Sequence, residues 1–467
     1  MTVKSPKFDD PAARPLPAEL LALAKIAAPA VMAQIAQMSL GLIDTIMAGQ
    51  YSPEALAAIA VGTNLLMPVT VTMMGLFLAL NPIVAHLNGR GEFAGIGRVF
   101  QMGMMLALVF ALPTFYLLRN FTPLMIWLGI EPSIIPLVDG YLEAVSWGSA
   151  FFYLFFALRA GNEGLFATKA VMVCSLLAIP FNILFNYWFI HGGLGLPAMG
   201  AVGVGYATSL VWSLLFAFLL LFTLRNPAYA SLAIFARWRR PRWALIKEVL
   251  HIGVPLGLGL GMEVIMFALV GLLIGTYTIE VIAGHQIAMN IASMTFMVPL
   301  GISIGITARV GFAMGRGSLD AVRRSGFAGI GVAALFQILS ATLMISLPAW
   351  LAGFYTGDTA VINIAVQLLF YAAVFQFSDG IQVASGGALR GMKDTRVPML
   401  INMVAYWVVG FPIGYYLAEI SGLGARGYWI GLIAALSTSA VLLFTRFYRK
   451  SRNRQEIAGL AATPDST

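Results

Sequence analysis

The sequence predicts an all-α integral membrane protein with twelve transmembrane helices in two parallel six-helix repeats. Three observations predict this fold: the composition, twelve long apolar segments and an internal repeat. Hydrophobic residues make up 60% of the chain and charged residues only 10%, whereas soluble domains carry about 25% charged residues. Because so few charges cannot form a polar surface, we expect a lipid bilayer to surround the chain.

Twelve segments are apolar over the roughly 20 residues that a helix needs to cross a bilayer. Their pattern is helical and lacks the period-2 alternation of transmembrane barrel strands. The segments lie at residues 20–48, 55–80, 95–118, 134–158, 167–190, 200–224, 245–272, 281–307, 322–347, 359–388, 397–418 and 427–448. The first 18 residues are polar, without the apolar core of a cleavable signal peptide, so the first segment is expected to act as an uncleaved anchor.

The distribution of Lys and Arg supports this count and predicts an orientation. Of the 28 Lys and Arg residues, all but Arg119 and Arg426 fall in the N-terminal arm, the loops after even-numbered segments and the C-terminal tail. Arg159, Arg309 and Arg390 are assigned to such loops. Because basic residues concentrate in cytoplasmic loops, both termini are predicted to be cytoplasmic. The net charge of +8 therefore indicates orientation, and we expect no nucleic-acid partner.

An internal repeat relates the two halves of the chain. When the sequence is shifted by 226 residues, Pro29 meets Pro255 and the Gly-Arg-Gly stretch at 89–91 meets the one at 315–317. Six is an even number of spans, so both halves enter the membrane from the same side, as parallel repeats. The predicted domains are an N-terminal arm (1–18), an N-lobe (19–225), a basic linker (226–244), a C-lobe (245–448) and a tail (449–467).

Pro29 and Pro255 begin the paired first helices of the two repeats. A proline removes one backbone hydrogen bond and can bend a helix, although membrane helices also tolerate proline as ordinary packing. Because the two prolines are equivalent in the repeat, we predict a hinge at each of them.

Three carboxylates lie well inside predicted spans: Asp44 in the first, Glu263 in the seventh and Asp379 in the tenth. A charge at the bilayer centre costs about 2.5 to 3.5 kcal/mol on insertion scales, so such a residue usually faces an internal cavity and has a function. Neighbouring polar groups can also hold a carboxylate as part of the packing. In the repeat, Glu263 meets Gln37 and Asp44 meets Val270. The halves do not share these carboxylates, which favours a functional role.

Four amides accompany the carboxylates. Asn182 and Asn186 are four residues apart and share one helix face, where they can bind an alkali cation or a hydrogen-bonding ligand. Gln34 and Gln37 on the first span offer the same chemistry. All four can equally serve as hydrogen-bond partners between helices, and the spacing alone does not decide between these readings.

Several enzyme classes and energy sources are not expected. The sequence has no G-x-x-x-x-G-K-[ST] motif, so ATP is not predicted as the direct energy source. Its four histidines show no H-E-x-x-H spacing, and its single cysteine, Cys174, excludes a disulfide framework. We therefore expect neither an enzyme nor a bound cofactor, and an ion gradient of Na⁺ or H⁺ is left as the energy source.

Stretches from nearly every span together resemble one protein family. They are "GLIDTIMAGQ" (41–50), "GNEGLFATKA" with "IPFNILFNYW" (161–188), "GHQIAMNIASMTFMVPLGIS" (284–303), "RVGFAMGRG" (309–317), and "GALRGMKDTRVP" followed by "YWVVGFPIGYYL" (387–417). The chain resembles the multidrug and toxic compound extrusion (MATE) family, and within it the NorM-like bacterial branch. The resemblance implies a V-shaped monomer, surrounded by lipid in the bacterial inner membrane. It implies export of amphipathic cationic drugs and dyes by antiport against Na⁺ or H⁺.

The resemblance also implies roles for individual residues. Asp44, Glu263 and Asp379 match carboxylates that couple cation and substrate in this branch, and Glu263 and Asp379 are then candidate Na⁺ ligands. Asn182 and Asn186 match the asparagines of the fifth span. Some members carry a tyrosine one turn before the tenth-span aspartate, where this chain has a phenylalanine and so lacks that hydroxyl. The auxiliary candidates are Gln34, Gln37, Phe375, Ser378, Gln382 and Gln286.

Two other functions fit the same architecture. A lipid or lipid-linked oligosaccharide flippase is expected to carry cationic residues for anionic headgroups, whereas the intramembrane charges singled out above are all acidic. A channel can also use acidic rings, but two repeats in one chain favour lobes that rock against each other. Competition between a cation and a drug for the same carboxylates is the simplest antiport device.

Overall fold

Helices make up nearly all of the structure, a computed structural model that describes residues 15–193, 195–232, 234 and 242–453. The described residues contain no strand beyond one isolated bridge between Gly193 and Leu196. The α-helices are α1 (Leu16–Tyr51), α2 (Pro53–Leu78), α3 (Leu80–Arg90), α4 (Phe93–Leu118), α5 (Thr122–Trp127), α6 (Ile135–Ser146), α7 (Ser149–Gly164), α8 (Thr168–His191), α9 (Ala201–Arg225), α10 (Trp243–Ile274), α11 (Ile279–Gly315), α12 (Leu319–Ser346), α13 (Pro348–Gly353), α14 (Thr359–Gly391), α15 (Arg396–Met403), α16 (Phe411–Tyr415) and α17 (Ala425–Lys450). A 3-10 helix covers Pro227–Leu232, and π-helical segments at Val404–Gly410 and Tyr416–Ile420 flank α16.

The count of membrane spans agrees with the sequence. Within the described ranges, eleven helices are long and apolar enough to cross a membrane, with α2 and α3 counted as one and Arg396–Ile420 as another. The pair α6 and α7, bent by 49° at its break, gives a twelfth if it is counted as one span. The predicted all-α membrane fold is confirmed, and the fourth predicted span (134–158) consists of two helices joined at a bend.

The chain forms two units. The described residues of unit 1 fall in Ile35–Leu87 and Gly91–Gly257, and those of unit 2 are 15–34, Asn88–Arg90 and 258–453. The division falls inside α1 and inside α10, shortly after Pro29 and Pro255, and both helices continue through their prolines. The hinge function of the prolines and the lobes at 19–225 and 245–448 stay predictions. The N-terminal arm up to residue 14, the linker at 235–241 and the tail from residue 454 lie outside the described residues.

Small residues let neighbouring helices approach closely within unit 2. Gly410 and Gly414 lie against Gly431 of α17, where an added Cβ would lie 2.5 Å from the Gly414 Cα. Helices surrounded by lipid gain from such close packing, because lipid tails are as apolar as the side chains. In unit 1 the core lies between α2, α6, α8 and α9, around Ile59, Leu142, Ile190 and Val204.

Three arginines that the sequence analysis assigned to loops are buried inside helices. Arg159 is in α7, Arg309 in α11 and Arg390 in α14, and all three are buried. The loop assignment is wrong for them. The helices run beyond the apolar segments, and each arginine has a polar partner within its own unit. Arg309 and Glu19 of α1, for example, form a buried bidentate ion pair, with 2.6 Å between Nε and Oε1.

Candidate functional site

Asp44 lies at the centre of a hydrogen-bonded cluster in unit 1. It is on α1, and only 8% of its surface is exposed. Its Oδ1 accepts a hydrogen bond from Nδ2 of Asn182 at 2.8 Å and another from Nδ2 of Asn186 at 2.6 Å. The two asparagines project from one face of α8 because they are four residues apart. The structure thus brings together three residues that the sequence singled out.

Thr208 of α9 adds a third donor to the Asp44 cluster. Its Oγ1 lies 3.1 Å from Asp44 Oδ2 and 2.9 Å from the carbonyl oxygen of Val204. A hydroxyl carries one proton, so it donates to one of these oxygens at a time. Hydrogen bonds to an ionised group are about twice as strong as neutral ones. Three donors can therefore stabilise the ionised form of Asp44 in the absence of a cationic side chain.

Each asparagine of this cluster also has an amide oxygen that accepts no hydrogen bond from the described residues. Among the described residues, Oδ1 of Asn182 and Oδ1 of Asn186 have no hydrogen-bond partner, and both side chains are fully buried. Buried polar atoms without a partner are rare in native proteins, so each of them calls for a specific explanation such as an ion or an ordered water. Two amide oxygens beside a carboxylate form a site that suits a cation or a protonated amine.

A second cluster, in unit 2, joins Glu263 of α10 to Asp379 of α14. The charge of Glu263 acts on Asp379, and Tyr406 and Gln382 lie within hydrogen-bonding reach of Glu263. Gln382 donates from Nε2 to the Tyr406 hydroxyl oxygen at 2.8 Å, which leaves the Tyr406 proton for Glu263. Tyr406 lies in the π-helical segment Val404–Gly410, and such segments often occur at functional sites.

The negative charge of this second cluster is not balanced within the described part of the chain. No ion pair there includes Glu263 or Asp379, and Asp379 Oδ1 and Gln382 Oε1 are buried without a hydrogen-bond partner. Asp379 is buried and Glu263 is half-buried, and two neighbouring carboxylates in such surroundings do not both stay ionised without a counter-charge. The cluster can therefore hold a proton or an alkali cation. Its ligand atoms are all oxygens, as hard cations prefer.

Phe375 is an aromatic packing residue of unit 2. It is buried between Phe267 and Trp429, and each of their ring centroids lies 5.8 Å from its own. The hydroxyl that a tyrosine would bring at this position is absent, but the Tyr406 hydroxyl reaches the same carboxylate cluster from another helix. The departure at Phe375 therefore does not leave the cluster without a hydroxyl.

The other auxiliary candidates lie in different surroundings. Ser378 is hydrogen-bonded to Ser437 of α17, with 2.8 Å between the two hydroxyl oxygens. Gln286 is exposed on α11 and shares no hydrogen bond with either cluster. Gln34 is half-buried on the part of α1 that belongs to unit 2. Among the auxiliary candidates, Gln382 lies within hydrogen-bonding reach of Glu263.

Gln37 takes part in a separate buried contact of unit 1. Its Oε1 accepts a hydrogen bond from Nη1 of Arg159 at 2.7 Å, and its Nε2 donates to Ser175 Oγ at 3.3 Å. Arg159 also donates from Nε to Glu163 Oε1 at 2.7 Å, and both side chains of this ion pair are almost fully buried. Gln37 thus connects α1 to an ion pair of α7, two helical turns along α1 from Asp44.

Comparison with known proteins identifies the family. The family model MatE matches two stretches of the chain, residues 29–188 and 255–416. The chain belongs to the MatE family. It is 34% identical over 443 residues to the multidrug resistance protein NorM of Aliivibrio fischeri. The aligned region covers 94% of this chain and 96% of that protein. It is 36% identical over 444 residues to the multidrug resistance protein MdtK of Photorhabdus laumondii, and the aligned region covers 94% of this chain and 97% of that protein.

Solved structures share this MatE fold. The eukaryotic MATE transporter AtDTX14 superposes with a TM-score of 0.86 over 96% of this chain and 99% of its own, at 16% identity. An outward-facing multidrug resistance MATE family transporter of the MOP superfamily superposes with a TM-score of 0.87 over 98% of this chain and 100% of its own, at 19% identity. At these identities the likeness establishes the fold alone. The predicted membership of the multidrug and toxic compound extrusion family is confirmed.

The carboxylates are distributed unequally between the two MatE repeats. Asp44 and its asparagines lie in the first matched stretch, and all members of the Glu263–Asp379 cluster lie in the second. The repeat counterpart of Glu263 is Gln37, and that of Asp44 is Val270. Each repeat therefore carries a different site, and the roles of these residues stay predictions.

Sequence reasoning missed Thr208 and Tyr406. A threonine in a membrane helix commonly bonds to its own backbone, as Thr208 does with Val204, so its presence in a span gives little signal. Tyr406 is the first residue of "YWVVGFPIGYYL", a stretch used for the resemblance. Tyr406 lies in a π-helical turn, and such a turn has no signature in the sequence of an apolar segment. The sequence pattern therefore did not single out Tyr406.

Proposed function

We propose that this protein is a secondary active exporter of amphipathic cationic drugs and dyes, driven by antiport against Na⁺ or H⁺. The observation that carries the proposal is the Glu263–Asp379 cluster, where two neighbouring carboxylates form no ion pair within the described residues. The names of the relatives, multidrug resistance proteins matched over nearly their whole length, support the substrate class.

Competition for negative charge accounts for antiport in chemical terms. An isolated charge inside a membrane is costly, so the ionised cluster favours any cation that enters, whether Na⁺, a proton or an organic ammonium ion. A second cation can displace the first because the same carboxylates bind both. A membrane potential contributes about 2.3 kcal/mol per charge for each 100 mV, so an inward flow of coupling ions can drive drug out.

The Asp44 cluster provides a second place for a cationic ligand. Its three hydrogen-bond donors stabilise a carboxylate, and the free Oδ1 atoms of Asn182 and Asn186 add two acceptors beside it. An amphipathic ammonium compound can pair its charge with Asp44 and donate its N–H groups to the amide oxygens.

Efflux from proteoliposomes tests the proposal. A fluorescent cationic dye is followed while the sodium and proton gradients are collapsed separately with selective ionophores. We expect one of these treatments to stop efflux, and Asp379→Asn and Glu263→Gln each to abolish gradient-driven efflux. Glu143→Gln is the matched control, because Glu143 is a half-exposed carboxylate that pairs with Arg119. Full coupled transport by both cluster variants would refute the proposal.

The remaining assignments follow from the same proposal. The protein acts as a monomer in the bacterial inner membrane, with both termini in the cytoplasm, and has no cofactor or nucleic-acid partner. The proteoliposome assay also separates export from lipid movement. Transfer of a labelled anionic lipid at a rate independent of both gradients, with no dye efflux, would contradict drug export and favour a flippase.

A further inference from the structure

Gln376 of α14 is an uncharged, completely buried side chain one turn before Asp379. Its Nε2 donates a hydrogen bond to the backbone oxygen of Ala292 at 2.6 Å and another to Thr295 Oγ1 at 2.7 Å, and both acceptors belong to α11. Its Oε1 accepts a hydrogen bond from Nε2 of Gln337 on α12 at 2.8 Å. A side-chain amide has two protons to donate, and Gln376 uses both. It therefore bonds α14 to two neighbouring helices of unit 2.

A glycine directly after Asp379 lets the Gln337 side chain lie against α14. A Cβ built on Gly380 would come within 2.3 Å of Gln337 Cγ, so a larger residue there would displace Gln337. Gln376 and Gly380 are four residues apart and share one face of α14. Gln376, Gln337 and Thr295, which we call the amide clamp, thus hold this face of α14 against α11 and α12.

The amide clamp fixes the rotation of α14 at the level of Asp379. Successive residues of an α-helix are turned by about 100°, so Asp379 lies that far around the helix from Gly380 on the clamped face. In this direction the Asp379 carboxylate comes under the charge of Glu263. Its Oδ1 accepts no hydrogen bond from the described residues. The direction of the carboxylate therefore depends on the rotation of the helix that carries it.

The first repeat has no counterpart of the amide clamp. Helices α11 and α12 begin 226 residues after α2 and α4, at 279 and 319 instead of 53 and 93, and α14 ends 227 residues after α7, at 391 instead of 164. At these spacings, the counterparts of Gln376, Gln337 and Thr295 are Ser149, Ala111 and Val69. Alanine and valine side chains form no hydrogen bonds. Bonds that served only the shared fold would be expected in both repeats, so their restriction to the second repeat favours a role linked to its carboxylates.

We propose that Gln376 and Gln337 are positioning residues, which direct the Asp379 carboxylate at Glu263 by fixing the rotation of α14. The inference rests on the proposed function, because it assumes that these carboxylates bind the coupling cation. It adds that two amides on another face of the helix determine how tightly the cation is held. The amide clamp consists of neutral groups, so it keeps α14 in one orientation whether the carboxylates are ionised or neutral.

The test compares Gln376→Leu with a matched control, Asn162→Leu. Asn162 of unit 1 is also completely buried, donates to a backbone oxygen and to the Thr223 hydroxyl, and accepts one hydrogen bond, from Tyr229. The full-length proteins are melted in detergent over a series of Na⁺ concentrations at fixed pH, and over a series of pH values without Na⁺. The response that belongs to the cluster is the part that Asp379→Asn removes.

Gln376→Leu should move the midpoint of that response to about tenfold higher Na⁺ or about one unit lower pH, because residues of one network commonly couple at this magnitude. Asn162→Leu should lower the melting temperature and leave the midpoint in place. Thr295→Val is a milder change, which removes one acceptor of Gln376 and keeps the shape of the side chain. It should move the midpoint less but in the same direction, whereas Thr295→Ser, which retains the hydroxyl, should not move it.

Several results would overturn the inference. A lower melting temperature with an unmoved midpoint in Gln376→Leu would show that the amide clamp only stabilises the fold, and if that variant does not fold, an unmoved midpoint in Thr295→Val has the same meaning. An equal shift in Asn162→Leu would trace the effect to general destabilisation. Absence of any response that Asp379→Asn removes would leave no cation affinity to tune. Melting requires no transport, so these results stay distinct from efflux that ignores both gradients, which refutes the proposed function.

Discussion

The Thr208 hydroxyl of α9 can donate its proton to the Asp44 carboxylate of α1 or to the carbonyl oxygen of Val204 on its own helix. The Thr208 hydroxyl oxygen lies 3.1 Å from the Asp44 carboxylate and 2.9 Å from the carbonyl oxygen of Val204. An ionised Asp44 attracts that proton, whereas a neutral Asp44 lets it turn to Val204. The orientation of the threonine hydroxyl therefore follows the charge of the carboxylate.

Thr208→Val should weaken the binding of a cationic dye about fivefold, because a hydrogen bond contributes about 1 kcal/mol net. The valine keeps the shape of the threonine but cannot donate to the ionised Asp44. Thr208→Ser is the matched control, since it retains the hydroxyl. Fluorescence polarisation of the dye with purified protein measures the affinities. Equal affinities for the two variants would show that Thr208 does not stabilise the ionised carboxylate.

Asp44→Asn should abolish most dye binding in unit 1, because it removes the charge while leaving the volume of the side chain nearly unchanged. The donors of Asn182 and Asn186 then face an amide in place of a carboxylate. Asp139→Asn serves as the control, since Asp139 accepts a hydrogen bond from Thr122 at 2.9 Å outside the cluster. Equilibrium dye binding is the measurement. A dye affinity for Asp44→Asn equal to that of the control would exclude Asp44 as a binding group.

Tyr406→Phe should raise the cation concentration for half-maximal efflux about tenfold, because a buried hydrogen bond to a charged group contributes about 1.5–3 kcal/mol. The change removes the donor to Glu263 and the acceptor for Gln382 together. Phe375→Tyr in the Tyr406→Phe background tests whether the hydroxyl can come from α14. Phe375 packs between two aromatic rings, so we expect no rescue. Recovery of the cation response would mean that the two positions are interchangeable.

Glu19→Gln should lower the melting temperature strongly, because an unpaired charge left inside a protein costs about 3–5 kcal/mol. Glu19 forms its ion pair with Arg309 and also accepts a hydrogen bond from Ser325 at 2.7 Å. Glu143→Gln is the control, since the Glu143 side chain is half-exposed in its pair with Arg119, and exposed pairs contribute about 0–1 kcal/mol. Thermal melting in detergent compares them. Equal decreases in melting temperature for the two variants would show that burial does not increase the contribution of the Glu19 ion pair to stability.

The polar residues that the sequence could reveal are those that stand out against an apolar background. Asp44, Asn182 and Asn186 were singled out because each lies in a segment bound for hydrocarbon, where a polar group is costly. Their residue types predicted a site on each helix. The packing of α8 against α1 brings both asparagines to Asp44. The spacing of residues along a single helix does not predict this contact.

The misassigned arginines show a different limit. Lys and Arg counts predict which side of the membrane a loop lies on, but they do not say whether a basic residue at the end of a span lies in water or turns inward. Arg159 turns toward Gln37 and Glu163 because a long side chain with several donors can satisfy partners on two helices at once. The i, i+4 spacing of Arg159 and Glu163 is a local signal for their ion pair, whereas no local pattern around residue 159 predicts Gln37 as the partner on α1.

The π-helical turn at Val404–Gly410 has a consequence for how the two halves diverged. Hydrogen bonds in a π turn run to the fifth residue instead of the fourth, so the turn holds an additional residue. The distance between matching residues is 227 at Phe166 and Lys393 but 228 where the matched stretches end, at 188 and 416. A residue inserted into one copy of a repeat can be absorbed in this way as a wider turn instead of a longer loop. Such a residue turns the side chains that follow it by about 100°, so beyond this turn the helix presents a different face from that of a regular α-helix.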